Sequence, residues 1–273
     1  FHPTTPTTFW VGAPAGGLWK TTTNGTSWTT NTDNLSVIGC SDLAIDPVTP
    51  NTMYMATGDG DAGDTYCIGV LKSTDGGTTW LPTGLVWTVN QQRTMRRLII
   101  NPSNPQILIA ASSAGIWRTA NGGTSWTQVS TINAFDLEFK PTDPNTVYAG
   151  GGATGTTHSF YLSTNGGTSF AVISSGIPTT GCNRVGIAVT LANPNYVYVV
   201  RSNSGTNGFA SLHRSTTSGT AFTQMSTTPD ILANSCTGTA GSGQGWYDLA
   251  IAASPLNQYD IVAQYSLESL DLS

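Results

Sequence analysis

Residues 72–80 read K-S-T-D-G-G-T-T-W, and the same design returns in variant form along the chain. Residues 118–126 are R-T-A-N-G-G-T-S-W, 162–170 are L-S-T-N-G-G-T-S-F, 20–28 are K-T-T-T-N-G-T-S-W and 214–222 are R-S-T-T-S-G-T-A-F. Each copy has a hydroxyl residue, a polar turn centred on glycine and a closing aromatic. Asp or Asn followed by Gly supplies the positive-φ turn of a β-hairpin, and Ser or Thr hydroxyls tie down nearby backbone groups. The aromatic then opens the return strand and packs inward. Ser73, Asp75, Trp80, Asn121, Trp126, Asn165 and Phe170 are therefore read as structural. Asp75 invites a catalytic reading, but Thr23, Asn121, Asn165 and Thr217 stand at the same position in the other copies.

The closing aromatics Trp28, Trp80, Trp126, Phe170 and Phe222 follow one another at intervals of 52, 46, 44 and 52 residues. A period of roughly 40 to 50 residues with β character marks a propeller, one four-stranded blade per repeat. A proline-rich marker precedes the second strand of each repeat, as in Asp46-Pro47-Val48-Thr49-Pro50-Asn51 before Met53-Tyr54-Met55. Proline cannot donate to a sheet ladder and so ends the strand before it. The expected fold class is all-β, a β-propeller of about six four-stranded blades. Residues 1–273 are read as a single propeller domain or segment, a fragment of a longer protein, because the first repeat lacks its first strand and the sixth lacks its turn.

The paired markers resemble the Asp-box, or BNR repeat, over nearly the whole chain. Families with this repeat include sortilin-type receptors, xyloglucan-cleaving glycosidases, sialidases and a photosystem II assembly factor. V-G-A-P-A-G-G-L-W-K-T at 11–21, with A-T-G-D-G-D-A-G-D-T at 56–65, is most similar to large secreted Bacteroidetes proteins that carry a sorting domain for type IX secretion. The resemblance implies a secreted or cell-surface protein, with secretion-machinery or outer-membrane proteins among its partners. In the xyloglucan-cleaving family the first blade carries a catalytic aspartate in a stretch resembling T-D-x-G-G-x-Y-R. Here Pro14 stands at the aspartate position, and proline cannot transfer a proton. The arginine triad and early R-I-P-type motif of sialidases are also not matched.

Charged residues make up only 9% of the chain, against about 25% in typical globular domains. The net charge of −5 and the lack of a basic patch with interleaved aromatics exclude a nucleic-acid partner. No apolar run approaches the 18 or so residues of a membrane-spanning helix.

The repeat places innermost strands near 41–46, 96–101, 135–140, 185–190 and 247–252. Alternating strand direction then puts the glycine turns on one face of the propeller. The loops between second and third strands, and the connections between blades, fall on the other. That second face carries the variable segments 57–68, 81–94, 150–159, 201–210 and 226–245, and variable loops on a regular scaffold are where binding is expected. Tyr66, Trp87, His158, Arg201 and Phe209 are the expected ligand-binding residues, for a glycan or protein, because aromatic rings offer an apolar face and a polar edge. Trp246 and Tyr247 are assigned to inter-blade packing, and Trp10, Trp19, Trp28, Trp80 and Trp126 to the core. Asp59, Asp61 and Asp64 form the densest acidic cluster. They are candidate calcium ligands and weak candidates for catalytic acids, with no other cofactor implied. Four cysteines in a secreted chain suggest two disulfides. The layout favours Cys40–Cys67 and Cys182–Cys236 over free, buried thiols. With no catalytic pair identified, the leading expectation is a non-catalytic binding propeller; the alternative is a glycoside hydrolase acting on polysaccharide.

Overall fold

The computed structural model describes residues 1–61, 65–152, 158–234, 242–247 and 249–264. The chain is all-β and is built of propeller blades. The described helical structure is one 3-10 turn, Val89–Gln91. The blades fall into two compact units, residues 1–133 and 134–273.

The first unit opens with a three-stranded blade, β1 (Phe9–Ala13), β2 (Gly17–Thr21) and β3 (Thr29–Thr30). A four-stranded blade follows: β4 (Cys40–Ile45), β5 (Met53–Thr57), β6 (Gly69–Ser73) and β7 (Leu81–Val86). The third blade is β8 (Met95–Ile100), β9 (Leu108–Ser112), β10 (Gly115–Thr119) and β11 (Thr127–Ser130). In the second unit, β12 (Asn133–Lys140), β13 (Asp143–Gly152), β14 (Ser159–Ser163) and β15 (Ala171–Val172) form one blade. Next come β16 (Cys182–Val189), β17 (Val197–Asn203), β18 (Phe209–Ser215) and β19 (Thr223–Ser226). The last described sheet pairs β20 (Ala250–Ala253) with β21 (Ile261–Gln264). Each innermost strand lies within about three residues of its expected position.

Strand β5 shows why the second strand of a blade reads as an unbroken apolar run. Successive side chains point to opposite faces of a sheet. Met53 and Met55 pack with Leu18, Leu71 and Trp80 on one side, while Tyr54 and Ala56 pack with Leu98, Leu108 and Ala110 on the other. Both faces are covered by a neighbouring blade, so all five residues of β5 are buried.

The same geometry corrects the disulfide expectation. Cys40 packs in the first of these clusters and Cys67 in the second. The two cysteines therefore serve opposite faces of one blade, and both are free, buried thiols. Burial pushes the Cys40 thiol up to about 12, with the charge of Asp42 adding to the effect, and the Cys67 thiol up to about 11. Cys182 is buried, and Cys236, its expected partner, lies outside the described residues.

The glycine turns close the third and fourth strands. Ser73 donates its hydroxyl to Asp75 Oδ1 at 2.8 Å and accepts the Gly77 N–H at 2.9 Å. Asp75 Oδ1 in turn accepts the N–H groups of Thr78 and Thr79 at 3.0 and 2.9 Å. Asn165 accepts those of Thr168 and Ser169 in the same way, both at 3.1 Å. Gly76 and Gly77 sit at φ 72° and 86°, a left-handed succession that glycine adopts without steric cost. Two of the tryptophans assigned to the core differ from expectation in degree. Trp80 is buried, but Trp28 is 37% exposed and meets Phe9 edge-on, and Trp19 is 39% exposed. The first blade thus leaves one side of its aromatic layer to solvent.

Candidate functional site

The connections that enter the innermost strands define the variable-loop face, and each unit shows its own part of it. In the first unit the turn after β5 is anchored rather than free. Asp59 is buried, its N–H donates to the Thr65 carbonyl at 2.8 Å, and its carboxylate accepts the Asp61 N–H at 3.0 Å. Arg96, at the start of β8, donates Nε to the Gly60 carbonyl at 2.9 Å and Nη1 to Asn133 Oδ1. The strap fixes the loop against the next blade. Asp61 is half-buried, and Asp33, in the connection from β3 to β4, is exposed on the same face. Asp64 lies outside the described residues. Among the described residues no group of three His, Cys, Asp or Glu side chains is placed to hold a metal.

The residues expected to contact a ligand are mostly engaged elsewhere. Trp87 packs on the apolar cluster around Tyr54 and meets Trp117 edge-on at 5.8 Å. Tyr66 is half-buried. Phe209 is 9% exposed and packs with Val200 and Leu232. His158 is buried, with its ring 5.1 Å from that of Phe135. Arg201 is 4% exposed and donates to the Thr180 carbonyl at 2.6 Å and to Ser211 Oγ at 3.3 Å. Ser211 Oγ lies 2.9 Å from His213 Nε2, and His213 Nδ1 lies 3.1 Å from the Gly176 carbonyl. A carbonyl only accepts, so Nδ1 carries the proton and Nε2 accepts from the serine. Burial holds His213 well below its ordinary 6.5, at about 4, and the Arg201 charge pushes the same way. The buried set Arg201, Ser211 and His213 is thus part of the interior of its blade.

What the second unit does present is a pair that sequence reasoning assigned to packing. Trp246 and Tyr247 are 48% and 38% exposed, with ring centroids 5.3 Å apart and planes inclined at 46°. Their backbone is held from beneath: Arg184 Nη1 donates to the carbonyls of Trp246 and Tyr247 at 3.0 and 2.8 Å. The same guanidinium lies 5.1 Å over the Phe135 ring, which meets His158. Arg184 on β16 and Phe135 on β12, with His158 against Phe135, therefore support one exposed aromatic surface. Flat apolar rings with a polar edge suit the alternating C–H and O–H surface of a sugar. Strand alternation could not have revealed the pair, because Trp246 and Tyr247 lie in a turn ahead of β20 and not within a strand.

No family model matches the chain. It is 32% identical over 126 residues to a xyloglucanase from Paenibacillus sp, a match covering 44% of this chain and 12% of that protein. It is 28% identical over 212 residues to a xyloglucanase from Hypocrea jecorina, covering 63% of this chain and 25% of that protein. The chain thus spans about an eighth to a quarter of the length of these curated relatives. Among solved structures, the GH74 xyloglucanase from Xanthomonas campestris superposes with a TM-score of 0.68 at 21% identity, over 96% of this chain and 41% of that one. The GH74 enzyme from Niastella koreensis gives 0.52 at 22% identity, over 97% and 50%. These structures fix the propeller fold. The relatives, each named for an enzyme activity, overturn the expectation of a non-catalytic binding propeller and favour the glycoside hydrolase alternative.

Proposed function

We propose that this chain is part of a glycoside hydrolase acting on a polysaccharide of the xyloglucan type, and that its variable-loop face carries the glycan. The observation that carries this reading is the sequence likeness to enzymes named xyloglucanase. The exposed Trp246–Tyr247 surface supports it, since a polymeric sugar needs an extended platform beside the bond being cut. The substrate is too large to cross a membrane, so the protein works outside the cytoplasm.

Hydrolysis needs two carboxyl groups about 5 to 10 Å apart, one to protonate the leaving oxygen and one to activate water or attack the sugar. Pro14 supplies neither. Among the described residues, Asp61 and Asp33 are accessible carboxylates of this face in the first unit, and we assign them as candidates for that work. Asp59, buried and bonded to the Asp61 backbone, is a positioning group. The test is release of reducing ends from xyloglucan by the full-length protein. Asp61→Asn or Asp33→Asn is expected to lower kcat by 100-fold or more with polymer binding retained. Unchanged turnover in both variants removes these two residues from the chemistry, and no turnover by the unmodified protein overturns the reading.

A further inference from the structure

The opposite face, which carries the glycine turns, holds a groove that the proposed reaction does not use. It lies between the second and third blades of the first unit and encloses about 460 Å³. That is within the range of roughly 300–1,000 Å³ typical of small-ligand sites. Thr74, Thr83 and Thr124 contribute hydroxyl-bearing walls, Leu81 and Pro82 an apolar side, and Lys72 an ammonium group. Lys72 Nζ donates to the Gly122 carbonyl at 3.2 Å and lies 5.1 Å over the Tyr54 ring.

The repeat supplies an internal control. Lys20 makes the same bond to the Gly76 carbonyl, at 3.2 Å, and lies 5.3 Å over Trp10. Yet the cleft between the first and second blades is divided into spaces of about 170 and 10 Å³. Lys20, Thr22 and Gly76 there correspond to Lys72, Thr74 and Gly122, so the cation clamp by itself does not make the larger groove. Two differences enlarge it. The outer strand β7 has six residues where β3 has two. Asn31, whose Nδ2 reaches the Gly77 carbonyl at 3.5 Å and closes the smaller cleft, is replaced by the shorter Thr83. Gly84 lets β7 approach the next turn: a Cβ there would stand 2.4 Å from the Thr124 carbonyl.

We infer that this groove is a second saccharide site that takes a short stretch of neutral glycan, away from the reacting face. Its lining favours that class. Hydroxyls and carbonyls match sugar hydroxyls, the Leu81 and Pro82 side matches a ring's C–H face, and no carboxylate lines it to select a cation. The inference rests on the polysaccharide reading for its ligand but not on the catalytic carboxylates. Isothermal titration of the full chain with a neutral xyloglucan oligosaccharide should show two classes of site. In a Trp246→Ala/Tyr247→Ala background one class should remain, and adding Thr74→Trp, at an exposed position, should weaken that class at least tenfold. Binding that disappears with the aromatic pair alone, or that ignores both Thr74→Trp and Thr124→Trp, overturns the second site. So does binding of an acidic oligogalacturonate in preference to the neutral sugar. Failure here with xyloglucan turnover intact leaves the hydrolase reading standing, whereas groove binding without turnover refutes only the hydrolase.

Discussion

At the scale of single residues, two groups tie protonation to stability in defined windows. Asp75 is exposed, yet its carboxyl is held down to about 2 by hydrogen bonds from the Thr79 backbone and hydroxyl and from Ser73. A carboxylate held below its unfolded value stabilises the fold above that value and loses the contribution as pH falls. Asp75→Asn keeps the acceptor oxygen that Asn121 and Asn165 use. Its stability deficit relative to the unmodified chain should therefore be present above pH 4 and close between pH 4 and 2, read from melting temperatures. His213 acts higher up. Its proton is lost to the fold at pH values where the unfolded chain still binds one, so unfolding free energy should rise with pH between about 4 and 6.5. The slope from this one group is at most ~1.4 kcal/mol per pH unit. Denaturant titrations of His213→Gln should show a flatter limb in that interval.

At the scale of elements, innermost strands of adjacent blades are joined by the same device in each unit. Asp42 on β4 accepts the Leu98 N–H of β8 at 2.7 Å, and Asp136 on β12 accepts the Ile187 N–H of β16 at 2.7 Å. Asp42 also pairs with Arg97 at 3.5 Å, but the arginine side chain is 35% exposed. Surface ion pairs contribute about 0–1 kcal/mol, whereas a hydrogen bond to a charged group contributes roughly 1.5–3 kcal/mol. The backbone bond should win. Asp42→Ala is expected to cost about 1.5–3 kcal/mol and Arg97→Ala less than about 1 kcal/mol; equal losses in chemical denaturation would reverse this ranking. Elements were also where the sequence was easiest to read. Strand positions followed from proline markers and glycine turns, which act over a few residues and need no knowledge of neighbours. The innermost strand of the sixth blade, expected from Tyr247, begins at Ala250 because a turn closed by the Tyr247 N–H on the Gln244 carbonyl precedes it.

At the scale of the whole molecule, the proposed glycan surfaces are two, the exposed aromatic pair of the second unit and the turn-face groove of the first. Removing both rings, Trp246→Ala/Tyr247→Ala, should raise KM for xyloglucan roughly tenfold with kcat less affected, since aromatic contacts beyond simple burial contribute about 0.5–1.5 kcal/mol each. A KM unchanged within twofold would mean the substrate passes elsewhere. The sequence by itself determined the hairpin turns, their period and hence the blades, because each turn is specified by neighbouring hydroxyl, glycine and aromatic residues. Tertiary structure alone decided which side of a blade each side chain serves. It put Cys40 and Cys67 on opposite faces, drew Arg201, His158 and Phe209 inside, and left Trp246 and Tyr247 outside. The physical reason is that a blade is covered on both faces. An apolar or aromatic residue in its loops therefore has three destinations, two cores and the solvent, and only the packing of the adjacent blade selects among them. The turn at 72–80 is fixed by its own nine residues, while the groove beside it exists only because the next blade's turn stands across from it.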